Sequence, residues 1–248
     1  TTDLSVPKVF IPAARHKGTY ANEMFQRSVS HSPSGRSDEG KPVVQNAFKI
    51  RNETMQKDSL WITALDLGVS EQSIRDRAEM MLAVDESLEK ILATLKELNI
   101  DDQTAIILTS DNGYFFGEHG FSLERRMPYE ESIKAPLFIK YPGLVNPVSN
   151  VNGLVLSIDL AATALDIANI DIPNSIQGKS LLPLIQGETE SIRPVAFIEY
   201  YSHENPFPWT AQMDYRVVVS DRFKYIKWLR FDEAELYDLV NDRNELNN

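Results

Sequence analysis

ILTSDNGYFFGEHGFSLERRMPYEES, from Ile107 to Ser132, decides how this chain is read. It opens in TAIILTS (Thr104 to Ser110), a short apolar, β-branched run expected to form a buried parallel strand. In open α/β sheets functional groups collect at the carboxyl ends of such strands. Asp111 and Asn112 stand at that end, and Gly113 permits a sharp exit. Taken alone, Asp-Asn-Gly reads as an Asx-type turn, but its side-chain oxygens also suit calcium or magnesium. Gly117 and Gly120 bracket Glu118 and His119, so the backbone can pass close to a ligand while an imidazole acts as acid or donor. Arg125 and Arg126 add permanent cations whose forked donors match a tetrahedral oxyanion. Each feature by itself has a structural reading. Together, metal-type oxygens, an imidazole and guanidinium groups within one loop describe a site for a sulfate or phosphate ester.

Outward from this stretch, apolar residues from Ile74 to Leu98 recur at helical spacing, with Ser70 placed to cap a long amphipathic helix starting near Glu71. APLFIKYPG (Ala135 to Gly143) reads as a second strand ending at a Pro-Gly breaker. SIDLAATALDIAN (Ser157 to Asn169) reads as another helix, capped by Ser157 and burying Leu160, Ala164, Leu165 and Ala168. Residues 1 to about 70 show weak periodicity, and SVSHSPSGRSDEGK (Ser28 to Lys41) is a polar loop. From Ile192, FIEYY, YRVVVSD, FKYIKWL and ELYDL read as short strands joined by turns. The expectation is an α/β body over residues 1–185 and a small antiparallel α+β subdomain over residues 186–248.

Composition narrows the function classes. The chain has 248 residues, 42% of them hydrophobic, enough to bury a sizeable core. A net charge of -11 without a basic stripe argues against a nucleic-acid partner. No apolar run approaches the roughly 20 residues that span a bilayer, so no membrane partner is expected. With no cysteine, disulfides, thiolate metal sites and thiol nucleophiles are excluded within the chain. The opening TTDLSVPKVFIPAARHKGTY lacks a signal-peptide pattern and reads like a loop entered in mid-fold.

The ordered run TSDNG, GEHG, a basic residue four positions before Tyr-Glu, and a strand ending in YPG resembles the second half of the sulfatase family, in the alkaline-phosphatase superfamily. AEMMLAVDESLEKILATLKELNIDDQTAIILTSDNG, SIDLAATALDIANIDIPNSIQGKSLLPLIQGE, FKYIKW and ELYDLVNDRNELNN carry the resemblance across residues 7–248. It implies an alkaline-phosphatase-like α/β sandwich, present in part. Asp111 and Asn112 fall on positions that complete a calcium site, which magnesium can also suit. Arg125 falls where many members carry a sulfate-contacting lysine. Arginine keeps the charge but does not readily give up a proton, so the resemblance assigns Arg125 to sulfate and leaves acid catalysis to a histidine, His119 being nearest. His203, in EYYSHENP, is expected to reach the organic part of a sulfated glycan or small molecule.

Sulfatases of this type attack sulfur with a formylglycine made from the first residue of Cys/Ser-x-Pro-x-Arg. The nearest match, HSPSGR (His31 to Arg36), has His31 where Cys or Ser is required and one residue too many before Arg36. The expectation is therefore the C-terminal part of a longer calcium-dependent sulfatase, whose missing N-terminal part supplies the formylglycine. A phosphodiester or phosphonate monoester hydrolase, or a glycan-binding relative without catalysis, is the alternative. The resemblance also implies a periplasmic or secreted location.

Overall fold

A computed structural model describes residues 10–31, 40–57, 69–122, 124–143, 150–201 and 210–248. Its first element, helix α1 (Pro42–Lys57), lies in the stretch whose sequence shows weak periodicity. Val43, Val44, Ala47 and Phe48 form a buried face confined to the first two turns, so a longer window averages the helical signal away. Pro42 occupies the first helical position, where a missing N–H costs nothing.

The long helix is present as α2 (Glu71–Glu97), and Ser70 caps it, its Oγ accepting the Ser73 N–H at 3.1 Å. Much of its apolar stripe stays exposed, Met81 and Ile91 each at 55%. After a turn in which Asn99 takes a positive φ, strand β1 (Ile106–Thr109) runs into the Asp-Asn-Gly stretch. The one-turn helix α3 (Glu130–Ile133) follows, and then strand β2 (Leu137–Lys140).

Here the expectation of a buried parallel strand is corrected. Among the described residues β1 pairs only with β2, antiparallel, with Ile107 opposite Ile139 and Leu108 opposite Phe138. The chain between them turns back through α3 to the same end, whereas a parallel neighbour needs a crossover to the opposite end. Leu108 and Phe138 are exposed.

Helix α4 (Asp159–Ile167) is shorter than read from sequence, and Ser157 does not cap it. The Asp159 carboxylate instead accepts the N–H groups of Leu156 at 2.7 Å and Lys179 at 2.8 Å. Its buried face is Asp159, Ala162 and Thr163, not the Leu160/Ala164/Leu165/Ala168 face. A single turn, α5 (Leu182–Ile185), buries Leu182 and Leu184.

The C-terminal strands form as read. β3 (Ala196–Tyr200), β4 (Tyr215–Val219), β5 (Phe223–Trp228) and β6 (Ala234–Asp238) make a four-stranded antiparallel meander in chain order. One face carries Tyr215, Val217, Val219, Ile226, Trp228 and Tyr237 inward. These side chains share one apolar cluster with Val43, Val44, Ala47 and Phe48 of α1 and with Phe115, Phe121, Met127 and Tyr129. The core thus crosses residue 185 and seats the Ile107–Ser132 loop directly on the meander.

Candidate functional site

At the end of β1, Asp111 Oδ1 accepts the N–H of the next residue, Asn112, at 2.9 Å, one residue short of the bond of an Asx-type turn, and Ser110 Oγ donates to the Asn112 carbonyl at 2.9 Å. The Asn112 amide donates to the Gly113 carbonyl at 2.6 Å, so its side-chain oxygen has no partner among the described residues. Asp111 is exposed and pairs with no cation among them. An accessible carboxylate oxygen beside a free amide oxygen fits a hard divalent cation, though two ligands fall well short of the six to eight that calcium takes. Gly113 locks this turn in place. Its N–H donates to the Ser132 carbonyl at 2.7 Å, and a Cβ there would run into the Glu131 carbonyl.

The loop then folds on itself. Gly117 N–H donates to the Phe121 carbonyl at 2.8 Å, Phe116 bridges Ser122, and Phe115 N–H donates to the Glu124 carbonyl at 3.2 Å. Gly117, His119 and Gly120 all have positive φ, and a Cβ on Gly117 would collide with the His31 ring. Phe115 and Phe121 pin the loop into the core, Phe121 lying 5.2 Å from Phe48 between ring centres.

Glu124 separates the two arginines. Its Oε1 accepts the N–H groups of Arg125 at 2.8 Å and Arg126 at 2.9 Å, and also the Arg126 guanidinium at 3.1 Å. Arg126 is therefore neutralised locally. Arg125 is exposed, and its guanidinium has no partner among the described residues.

His119 is buried, its ring stacked on Tyr129 at 4.3 Å between centres. Its Nδ1 lies 2.8 Å from the Lys41 ammonium and its Nε2 lies 3.2 Å from Glu131 Oε2. Burial pushes its pKa below the ordinary value, against the Glu131 bond. Ser30 adds a hydrogen bond to Glu131 at 2.7 Å, and its carbonyl accepts the His119 N–H at 2.8 Å. The proton-donor role expected for His119 finds no open path to a substrate among the described residues.

Donor atoms of His119, Glu131 and Glu245 lie within 4.8 Å of one another, a spacing compatible with a metal. Two ammonium groups already occupy that neighbourhood: Lys41 on His119, and Lys224 at 2.7 Å from both Glu245 and Glu130. The group is an internal ion network, and a cation there would displace a lysine.

His203 lies outside the described residues, as does HSPSGR apart from His31. Tyr215 is buried and stacks on Tyr200, which makes it core. The roles of Lys41 and Glu131 escaped the sequence reading. Glu131 was visible as the second acid of Tyr-Glu-Glu-Ser; nothing local marks Lys41, which ends a polar loop.

Two family models match this chain: Sulfatase over residues 9–170, and N-sulphoglucosamine sulphohydrolase, C-terminal, over residues 117–248. An N-acetylglucosamine-6-O-sulfatase of Bacteroides thetaiotaomicron is 35% identical over 207 residues, 82% of this chain and 36% of that protein. An N-acetylglucosamine-6-sulfatase of Homo sapiens is 30% identical, over 71% of this chain and 34% of that protein. The chain thus spans about a third of the length of these curated relatives. The solved structure of BT4656 in complex with its substrate D-glucosamine-2-N,6-O-disulfate superposes with a TM-score of 0.75 at 26% identity, covering 96% of this chain and 58% of that one. A phosphonate monoester hydrolase from Silicibacter pomeroyi superposes with a TM-score of 0.61 at 27% identity, covering 72% of this chain and 38% of that one.

Proposed function

Because the chain belongs to the sulfatase family, we propose that it supplies the C-terminal half of the active site of a metal-dependent sulfuric ester hydrolase acting on a sulfated sugar or aryl sulfate. Its fold is the α/β fold of the alkaline-phosphatase superfamily, ending in a four-stranded antiparallel sheet. The observation that carries the reading is one loop that offers an exposed, unpaired Asp111 carboxylate at its start and an exposed, unpaired Arg125 guanidinium further on. Carboxylate oxygens for a cation and a guanidinium for an oxyanion are the complementary halves of a sulfate-ester site.

Asp111 and Asn112 would hold the cation, calcium in preference to magnesium, which supplies Lewis-acid charge stabilisation when bound. Arg125 binds sulfate oxygens and, because a guanidinium does not readily give up a proton, stays a fixed charge through the reaction. His119 acts from behind as a positioning residue, bracing the loop through Glu131 and Lys41. Proton delivery to the leaving alcohol, and contact with its organic part, are left to groups such as His203. The chain has no cysteine, and His31 departs from the formylglycine motif. The formylglycine and the remaining metal ligands are assigned to the missing N-terminal part of the sulfatase, which would also cover the exposed apolar stripe of α2 and the β1–β2 pair.

The substrate class follows the relatives named for N-acetylglucosamine 6-sulfate and the complex with a glucosamine disulfate. The likeness to a phosphonate monoester hydrolase supports a second reading, with a phosphorus ester in the same oxyanion site. Two relatives carry the name extracellular sulfatase, which supports an exported protein; no described helix is long and apolar enough to cross a membrane. The test is Asp111→Ala in the full-length enzyme, followed by calcium titration and aryl-sulfate hydrolysis. Loss of both is expected. Unchanged calcium affinity and unchanged turnover would reject the site.

A further inference from the structure

The Asp111–Asn112 stretch and the C-terminal segment meet at α3. Toward the end of this single turn the Ser132 carbonyl accepts the Gly113 N–H at 2.7 Å, and the Glu131 carbonyl lies so close that no Cβ fits on Gly113. Gly113 follows Asn112 directly, so the stretch that presents Asp111 and Asn112 takes its position from the α3 backbone. At its start α3 has no cap of its own, because Tyr129 makes no side-chain bond to it. The missing acceptor comes from 115 residues away, where Glu245 Oε2 takes the Glu130 N–H at 2.8 Å.

Glu245 is itself fixed from several sides. It is fully buried and takes a φ of 52°, a left-handed conformation that persists only where its surroundings hold it. Its carbonyl accepts the Lys41 ammonium at 2.6 Å. Its Oε1 faces the buried Lys224 ammonium of β5 at 2.7 Å, a charge contact off the line of a hydrogen bond. Lys224 in turn lies 2.7 Å from Glu130 Oε1 and donates to the Pro128 carbonyl at 3.3 Å. The Asp242 carboxylate accepts the Leu246 and Asn247 N–H groups, and the Asn248 amide donates to the Gly40 carbonyl at 2.8 Å. Stability alone does not account for so many buried charges, since apolar side chains of similar volume often serve as well. What the charges add is direction, and they aim one carboxylate at the α3 backbone.

We propose that Glu245 is a positioning residue for the cation site: its carboxylate clamps α3, and α3 sets the Asp111–Asn112 oxygens through Gly113. This deepens the hydrolase reading and rests on its assignment of Asp111 and Asn112 as cation ligands. The C-terminal segment then acts on the site without touching cation or substrate, and Lys224 acts through Glu245.

The test uses the full-length enzyme. Glu245→Ala removes both acceptor and charge, whereas Glu245→Gln keeps an oxygen for the Glu130 N–H and loses the charge facing Lys224. Calcium titration should show affinity lowered about tenfold in Glu245→Ala, as when a group that orients a metal ligand is removed, and about threefold in Glu245→Gln. Protection of the Gly113 amide from hydrogen exchange, measured without calcium, should fall in the same order. Asp159→Ala breaks a buried ion pair outside this network, so its folded form should bind calcium as the wild type does. If Glu245→Ala does not fold, Glu245→Gln decides. Where Asp111→Ala abolishes calcium binding, wild-type affinity in the folded Glu245 variants overturns the role, as does an equal loss in Asp159→Ala. Calcium affinity unchanged by Asp111→Ala rejects the cation-site reading instead; lowered Gly113 protection in the Glu245 variants would then still support the clamp on α3.

Discussion

His119 Nδ1 lies 2.8 Å from the Lys41 ammonium inside the protein. An ammonium only donates, so Nδ1 accepts and the imidazole proton sits on Nε2, facing Glu131 at 3.2 Å. Lys41 also donates to the Glu245 carbonyl at 2.6 Å, while the Glu245 carboxylate accepts the Glu130 N–H at 2.8 Å. The start of α1, the site loop and the C-terminal segment are tied through this one buried pair.

The pair makes stability sensitive to acid. Burial is the largest influence holding the His119 pKa below its ordinary value, so the unfolded chain takes up a proton before the folded one. Acid therefore favours unfolding, and the contribution is lost as pH falls through the unfolded value of about 6.5. Urea unfolding from pH 7.5 to 5 should show a declining free-energy gap between wild type and His119→Asn, since asparagine tolerates the φ of 51°. A gap that does not vary with pH would assign the sensitivity elsewhere.

Gly113→Ala should be severely destabilising, by about 2 kcal/mol or more. The added methyl meets the Glu131 backbone, which cannot move without breaking the hydrogen bond from Gly113 to Ser132. Thermal melting gives the cost, and calcium titration of the full-length variant tests whether the Asp111–Asn112 turn moves with it. A melting point equal to wild type would show that the turn is not packed against α3.

Asp159 and Arg193 form a buried pair, with Arg193 Nη1 at 2.6 Å from Asp159 Oδ2 and also donating to the Leu154 carbonyl at 3.0 Å. Burial raises the Asp159 pKa, but the Arg193 fork and two backbone N–H groups outweigh it and hold the carboxyl below its usual range. Asp159→Ala strands a buried cation and should cost about 3–5 kcal/mol in chemical denaturation. A loss under about 1 kcal/mol, the scale of an exposed pair, would show that water reaches it.

Arg125→Ala should change melting by little, since an exposed side chain without a partner contributes within about 0.5 kcal/mol. Sulfate affinity and aryl-sulfate turnover of the full-length enzyme should fall together. A large stability loss with sulfate affinity intact would make Arg125 a structural residue.

Much of this molecule is written locally. The Ser70 cap, the helix that follows it and the four C-terminal strands depend on neighbours within a few residues, and each formed as its spacing implied. Helix α1 was missed because its apolar face covers only two turns. The cap at Ser157 failed because Asp159, two residues on, has Arg193 to satisfy it.

The sequence by itself determined which groups the site loop carries: carboxylate and amide oxygens at a strand end, an imidazole between glycines, and two arginines. Only the tertiary structure decided what each group is free to do. Glu124 takes Arg126 and leaves Arg125 open, and Lys41, 78 residues before His119, occupies one nitrogen of the buried imidazole. The strand after α2 has the apolar run of a buried parallel element, yet the path back through α3 gives it an antiparallel partner. Residue type sets the available chemistry, but partners far apart in sequence set desolvation, protonation and direction, because those energies depend on what lies within a few ångströms in space.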